Sequence, residues 1–149
     1  MKDSINQWEL FVDGASRNNP GLSGIGMYLI KNGKPLLKDS FFIGVKTNNE
    51  AEYYALLLGI SYAKDLMHSS DRLIIFSDSE LVVRQIKGIY KVRKMELKKI
   101  YLKVLSLLRD INYSIRHVDR AENSVADALA NEGIDKKKPI PKRFLDYFS

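Results

Sequence analysis

The sequence predicts an α/β fold: a five-stranded mixed sheet, a three-strand meander followed by parallel strands, flanked by helices. Three observations predict it. Apolar and polar residues alternate through the first third of the chain, the period of half-buried strands. From about residue 50 the period lengthens to that of a helix. Further on, Leu73-Ile74-Ile75-Phe76 is a continuous apolar run, the pattern of a strand buried on both faces. The 149 residues are 45% hydrophobic and 28% charged, which fits one globular domain and excludes a disordered or collagen-like chain.

Each element has its own signal. Trp8, Leu10 and Val12 alternate with Glu9, Phe11 and Asp13, so Trp8 to Asp13 reads as the first strand. Gly14 to Gly24 is rich in Gly, Asn, Ser and Pro and reads as a loop. Ile25 to Ile30 and Pro35 to Val45 are the next strands, joined by the hairpin signal Asn32-Gly33. Glu50 to Met67 carries Ala51, Ala55, Leu58 and Tyr62 at helical spacing. Arg72 to Ser77 is the fourth strand, and Ser79 to Lys87 a short helix stopped by Gly88. Lys94 to Arg109 is a longer helix, amphipathic through Leu97, Ile100, Val104 and Leu108. Ile111 to Val118 alternates again as the fifth strand. Asn123 to Asn131 is the last helix, with Asn123 as N-cap and Gly133 as stop. No repeat or linker interrupts this order, so residues 1–134 read as one domain and residues 135–149 as a basic, aromatic-ended tail.

The net charge is +6 and unevenly placed. Residues 1–83 hold 8 Lys/Arg against 10 Asp/Glu, whereas residues 84–149 hold 16 against 8, so the basic excess lies wholly in the second part. A one-sided basic surface suits an anionic partner, nucleic acid above all; a merely solvated lysine-rich surface is the alternative. There is no cysteine, which excludes disulfides and thiolate metal sites. No apolar run reaches the roughly 18 residues that span a bilayer. Met1 to Asn6 is polar, without the apolar core of a signal peptide. These features predict a cytoplasmic protein with no membrane partner, monomeric by default.

Four acids stand at informative places. Asp13 ends the first strand and Asp78 the fourth, and in open α/β sheets functional groups gather outside the carboxyl ends of strands. Taken singly, an Asp after a strand is more often a turn or capping residue. Glu52 lies in the first turn of the long helix, where an acid also compensates the helix dipole. Asp127 is flanked by Ala126, Ala128, Leu129 and Ala130, so it sits near a closely packed face, where a carboxylate needs compensation. Carboxylates without cysteine ligands suit a hard cation, Mg²⁺ or Mn²⁺, and His68 and His117 lack zinc-ligand spacing. A basic protein with such a cluster reads as a phosphodiester hydrolase.

These residues resemble a family. Phe11-Val12-Asp13-Gly14-Ala15-Ser16-Arg17-Asn18-Asn19-Pro20-Gly21, then Thr47-Asn48-Asn49-Glu50-Ala51-Glu52, then Phe76-Ser77-Asp78-Ser79, then Asn123-Ser124-Val125-Ala126-Asp127-Ala128-Leu129-Ala130 resemble type 1 ribonuclease H, in the family's order. The resemblance implies the ribonuclease H-like fold and an endonuclease that cuts the RNA strand of RNA–DNA hybrids. It implies two Mg²⁺ ions, with Mn²⁺ as substitute, held by Asp13, Glu52, Asp78 and Asp127, with Asp13 shared. The products would be a 3′-hydroxyl and a 5′-phosphate. Gly14, Ala15, Ser16, Asn48 and Asn49 would read the RNA 2′-hydroxyls, the group that distinguishes RNA from DNA. Thr47 and Asn123 match the family's phosphate pocket on the DNA strand. Thr47, Asn48 and Asn49 could also cap the following helix.

Two departures place the chain near the compact branch of the family, whose members differ in whether they also cut duplex RNA. Val118 to Glu122 is short and lacks the histidine of the mobile catalytic loop; His117 looks structural, and Arg120 is the candidate accessory group. The Trp-containing basic protrusion is absent as well, with Lys87, Lys91, Arg93 and Lys94 as partial replacements. A non-cleaving module that binds hybrid or duplex RNA is the alternative function. Phe144-Leu145-Asp146-Tyr147-Phe148 is expected to pack back on the domain, with docking on a sliding clamp as the lesser reading.

Overall fold

The computed structural model describes residues 5–148; residues 1–4, and with them most of the polar N-terminal stretch, and residue 149 lie outside that range. The elements are β1 (Gln7–Arg17), β2 (Gly21–Lys31), β3 (Lys34–Lys46), α1 (Asn48–Leu66), β4 (Arg72–Ser77), α2 (Glu80–Ile86), α3 (Met95–Leu108), β5 (Asn112–His117) and α4 (Ser124–Asp135). Short 3-10 turns precede α4, at Arg120–Asn123, and close the chain, at Lys142–Phe148. The sheet order is β3-β2-β1-β4-β5. β1 to β3 form the expected antiparallel meander, and β4 and β5 run parallel to β1.

The two faces of the sheet differ. Leu10, Val12, Met27 and Ile75 are buried on the face that α1 covers, where Gly59 lies directly against Leu10 and Val12. α4 crosses the other face, packed on β2, β3 and β1. Because α4 leaves β4 uncovered, Ile74 and Phe76 are only half-buried, not enclosed on both sides as the apolar run suggested. α1 goes the other way. Its residues are buried nearly all round from Tyr53 to Ser61, because α3 and the C-terminal segment cover what a two-layer domain would expose. Among the described residues, no helix is long and apolar enough to cross a membrane.

Three local expectations are corrected. The Gly14 to Gly24 stretch is not a loop: β1 runs on to Arg17, β2 begins at Gly21, and only a tight turn with Asn18 at φ +78° separates them. Its glycines answer to packing. A Cβ on Gly24 would lie 2.3 Å from the Ala130 carbonyl oxygen of α4, and one on Gly14 2.3 Å from the Ala51 backbone of α1. Likewise Gly133 does not stop the last helix, which runs to Asp135. Gly133 lets α4 settle on the Phe41 backbone of β3, where a Cβ would lie 2.6 Å from the Phe41 carbonyl oxygen. Asn123 precedes α4 but makes no side-chain cap. Its Nδ2 donates to the Val12 carbonyl at 2.9 Å instead.

Candidate active site

β1 and β4 are parallel and in register with Val12 opposite Ser77, so the residues that follow, Asp13 and Asp78, emerge side by side. Glu52 joins them because Gly14 has no side chain: α1 closes onto the β1 backbone, and the Gly14 N–H donates to Glu52 Oε1 at 2.6 Å. Thr47 holds that helix end, its hydroxyl accepting from the Glu50 N–H while Glu50 accepts from the Thr47 N–H. One carboxylate oxygen each from Asp13, Glu52 and Asp78 lies within 4.8 Å of the other two. Asp127, in the first turn of α4, lines the same cleft but stands outside that group of three.

The electrostatics of this cluster are those of a cation site. Asp13 is 5% exposed. Burial first, then the charges of Glu52 and Asp78, push its carboxyl far above the usual carboxylate range. Burial also raises Glu52, with the Asp78 charge adding to it and the Gly14 N–H opposing. Among the described residues, no lysine or arginine forms a salt bridge with any of the four acids. An all-oxygen donor set of four acids, uncompensated and partly buried, fits a hard divalent cation.

A cleft of about 440 Å³ opens over the acids. It gathers most of the expected site: Gly14, Ala15 and Ser16 along one wall, Asn48 and Asn49 on another, and Arg120 at the rim. The Ser16 hydroxyl is already engaged, donating to backbone oxygens of Asn18 and Lys46. His117 is exposed at the end of β5 and does not line the cleft.

Two expected residues are not brought together. Thr47 lines a neighbouring pocket of about 310 Å³ with Asn19, Asn49 and Lys94. Asn123 is 1% exposed, donates to the Val12 carbonyl, and lines a separate pocket with Phe11 and Tyr28. Thr47 and Asn123 therefore line two different pockets. Lys94, noted in the sequence only as one of several basic residues, takes the place beside Thr47. Arg17 and Asn131 also line the cleft. Arg17 falls inside the motif Phe11 to Gly21, which assigns it no role, and Asn131 lies outside the motifs. They are far apart along the chain, and only the docking of α4 on the β1–β2 hairpin brings them together.

Residues 11–133 match the family model described as reverse transcriptase-like. The ribonuclease HI of Halobacterium salinarum is 38% identical over 127 residues, 84% of this chain. The chain belongs to the ribonuclease H family. The crystal structure of the Halobacterium RNase H1 superposes with a TM-score of 0.83 at 36% identity, covering 87% of this chain and 98% of that one. LC11-RNase H1, solved in complex with an RNA/DNA hybrid, gives 0.80 at 35% identity over 87% of this chain and 97% of that one. A bifunctional protein of Mycobacterium tuberculosis is 38% identical over 129 residues. As a ribonuclease H domain the chain spans 63% of the length of the Halobacterium relative and 34% of the mycobacterial one.

Proposed function

We propose that the protein is a metal-dependent endonuclease that hydrolyses the RNA strand of RNA–DNA hybrids, leaving 3′-hydroxyl and 5′-phosphate ends. The observation that carries this reading is the convergence of four carboxylates from β1, α1, β4 and α4 on one cleft of about 440 Å³. The likeness to LC11-RNase H1, a structure that contains an RNA/DNA hybrid, supports the substrate.

Asp13, Glu52, Asp78 and Asp127 would hold two Mg²⁺ ions, or Mn²⁺ in their place, with Asp13 contributing to both. Bound there, the cations supply an activated water and stabilise charge on the scissile phosphate and its leaving oxygen. The chain's own part is to hold the carboxylates in place. Strand register sets Asp13 beside Asp78, the Gly14 N–H orients Glu52, and Asn123 ties the start of α4 to the Val12 carbonyl. The backbone of Gly14 to Ser16 and the side chains of Asn48 and Asn49 line the wall where an RNA strand's 2′-hydroxyls would be read. Lys94, with Thr47 and Asn19, would take a phosphate of the DNA strand in the adjoining pocket.

Cleavage of labelled RNA–DNA, RNA–RNA and DNA–DNA duplexes, with Mg²⁺, Mn²⁺ or EDTA, tests this directly. Wild type should cut the RNA strand of the hybrid only with metal present, and Asp78→Asn should lower kcat by at least about a thousandfold, a metal-held transition state being worth several kcal/mol. Hybrid binding without cleavage of any duplex would leave a recognition module instead.

A further inference from the structure

Asp127 stands apart from the other acids. Asp13, Glu52 and Asp78 form the tight trio, while Asp127 approaches from α4 on the other side of the sheet. Its orientation depends on what surrounds it on that helix. One turn on, Asn131 donates Nδ2 to the Asp127 carbonyl oxygen at 3.1 Å and to its carboxylate Oδ1 at 3.5 Å. The oxygen of the same amide accepts from Arg17 Nη2 at 3.2 Å. Arg17 is held in turn by Asp135 Oδ1, 2.6 Å from Nη1, and reaches the Asn131 carbonyl at 3.5 Å.

The direction of these bonds is forced. A guanidinium carries donors only, so it draws the amide oxygen of Asn131 toward itself. The amide N–H₂ must then face Asp127. Without Arg17 only the Asp127 oxygens hold the amide this way round, the carbonyl at 3.1 Å and the carboxylate at 3.5 Å, and the amide oxygen loses the donor that anchors it. The Arg17–Asp135 pair is about half exposed on both sides, at 45% and 62%, and pairs of that kind add little to stability. Its geometry matters more for what it does to Asn131.

We propose that Arg17, acting through the Asn131 amide, is a positioning residue that holds the Asp127 carboxylate in the orientation a divalent cation requires. The inference rests on the metal-dependent reading of the cleft. It assigns a function to the side chain that follows the Gly14 to Ser16 wall, and it links the β1–β2 hairpin to the metal cluster.

The test measures Mn²⁺ binding by calorimetry without nucleic acid, and kcat and KM for a hybrid, in wild type, Arg17→Ala, Arg17→Lys, Asn131→Ala and the Arg17→Ala/Asn131→Ala double variant. Outer partners of metal ligands typically cost tenfold or more in affinity or activity when removed. Arg17→Ala should therefore weaken Mn²⁺ binding and lower kcat by roughly tenfold, with KM little changed. Asn131→Ala should match it, and the double variant should be no worse than either single change, because the two act in series. Arg17→Lys, which keeps a donor, should recover part of the loss. Unchanged Mn²⁺ affinity in Arg17→Ala would overturn the inference. So would additive losses, or a raised KM with kcat intact, which would make Arg17 a phosphate contact. A wild type that binds no Mn²⁺ also sinks it. A wild type that binds Mn²⁺ and loses affinity with Arg17→Ala, yet cuts no hybrid, would uphold the positioning and end the nuclease reading.

Discussion

Asp13 shows why the four acids belong to a ligand rather than to the fold. A carboxylate that is 5% exposed, with Glu52 and Asp78 beside it, destabilises the metal-free protein. The folded-state values of Asp13 and Glu52 lie above their ordinary ones, so the native state retains protons that the unfolded chain has lost. Metal-free stability is thus fully present below the unfolded carboxylate range near pH 4 and is lost as pH rises toward the folded values. We expect thermal melts in EDTA to fall between pH 5 and pH 8. Asp13→Asn should remove much of that slope and gain on the order of 1–2 kcal/mol at pH 8, one pKa unit being worth about 1.4 kcal/mol. With Mg²⁺ at saturating concentration the order should reverse, since only the wild type gains binding free energy. A wild-type melt in EDTA that rises with pH would contradict the electrostatics described for Asp13.

At the scale of elements, the position of α4 depends on glycines of β2. A Cβ on Gly26 would lie 2.3 Å from the Ala126 carbonyl oxygen and 2.6 Å from the Ala130 nitrogen, both backbone atoms that cannot turn aside. Gly26→Ala must push the helix off the sheet and carry Asp127 with it. Overpacking typically costs 1–3 kcal/mol, and chemical denaturation should find a loss of about that size. Hybrid cleavage should fall by more than stability alone explains, because the folded fraction still has a displaced carboxylate. At the N-terminus of α1, Thr47→Ala removes one half of a capping box and should cost about 1 kcal/mol. These contacts also explain what the sequence revealed and what it hid. The acids are legible because each lies within a short local motif. The glycines of residues 14–24 and Gly133 read as loop and stop instead, because their requirement comes from a helix packing across the sheet. The Arg17–Asn131 link is not legible: it joins residues 114 apart, and although Arg17 sits in the first motif, no local pattern pairs it with Asn131.

The C-terminal segment decides how the whole molecule is covered. The Lys138 carbonyl accepts from the Phe42 N–H on edge strand β3, and Phe144 is buried at 3% exposure, tilted against Tyr62. Phe148 stacks on Tyr54 at 4.3 Å between centroids, and the Tyr54 hydroxyl donates to the Tyr147 carbonyl. These aromatics cover the outer side of α1, which is why that helix is apolar nearly all round. The two readings of the tail exclude each other. A docking peptide must offer its aromatic anchors to a partner, and here Phe144 and Phe148 are already committed to the domain's own core. Phe144→Ala should cost about 3 kcal/mol, the low end for a buried phenylalanine. In a chain of this length that lowers the melting temperature by roughly 10 °C. The cleft is at the N-terminal end of α1, whereas Phe144 packs on Tyr62 in its C-terminal half, so cleavage of hybrid at 25 °C should stay within about twofold of wild type, provided the protein remains folded. An unchanged melting temperature in Phe144→Ala, together with capture of a sliding clamp by the intact tail, would reverse the assignment and free the segment for docking.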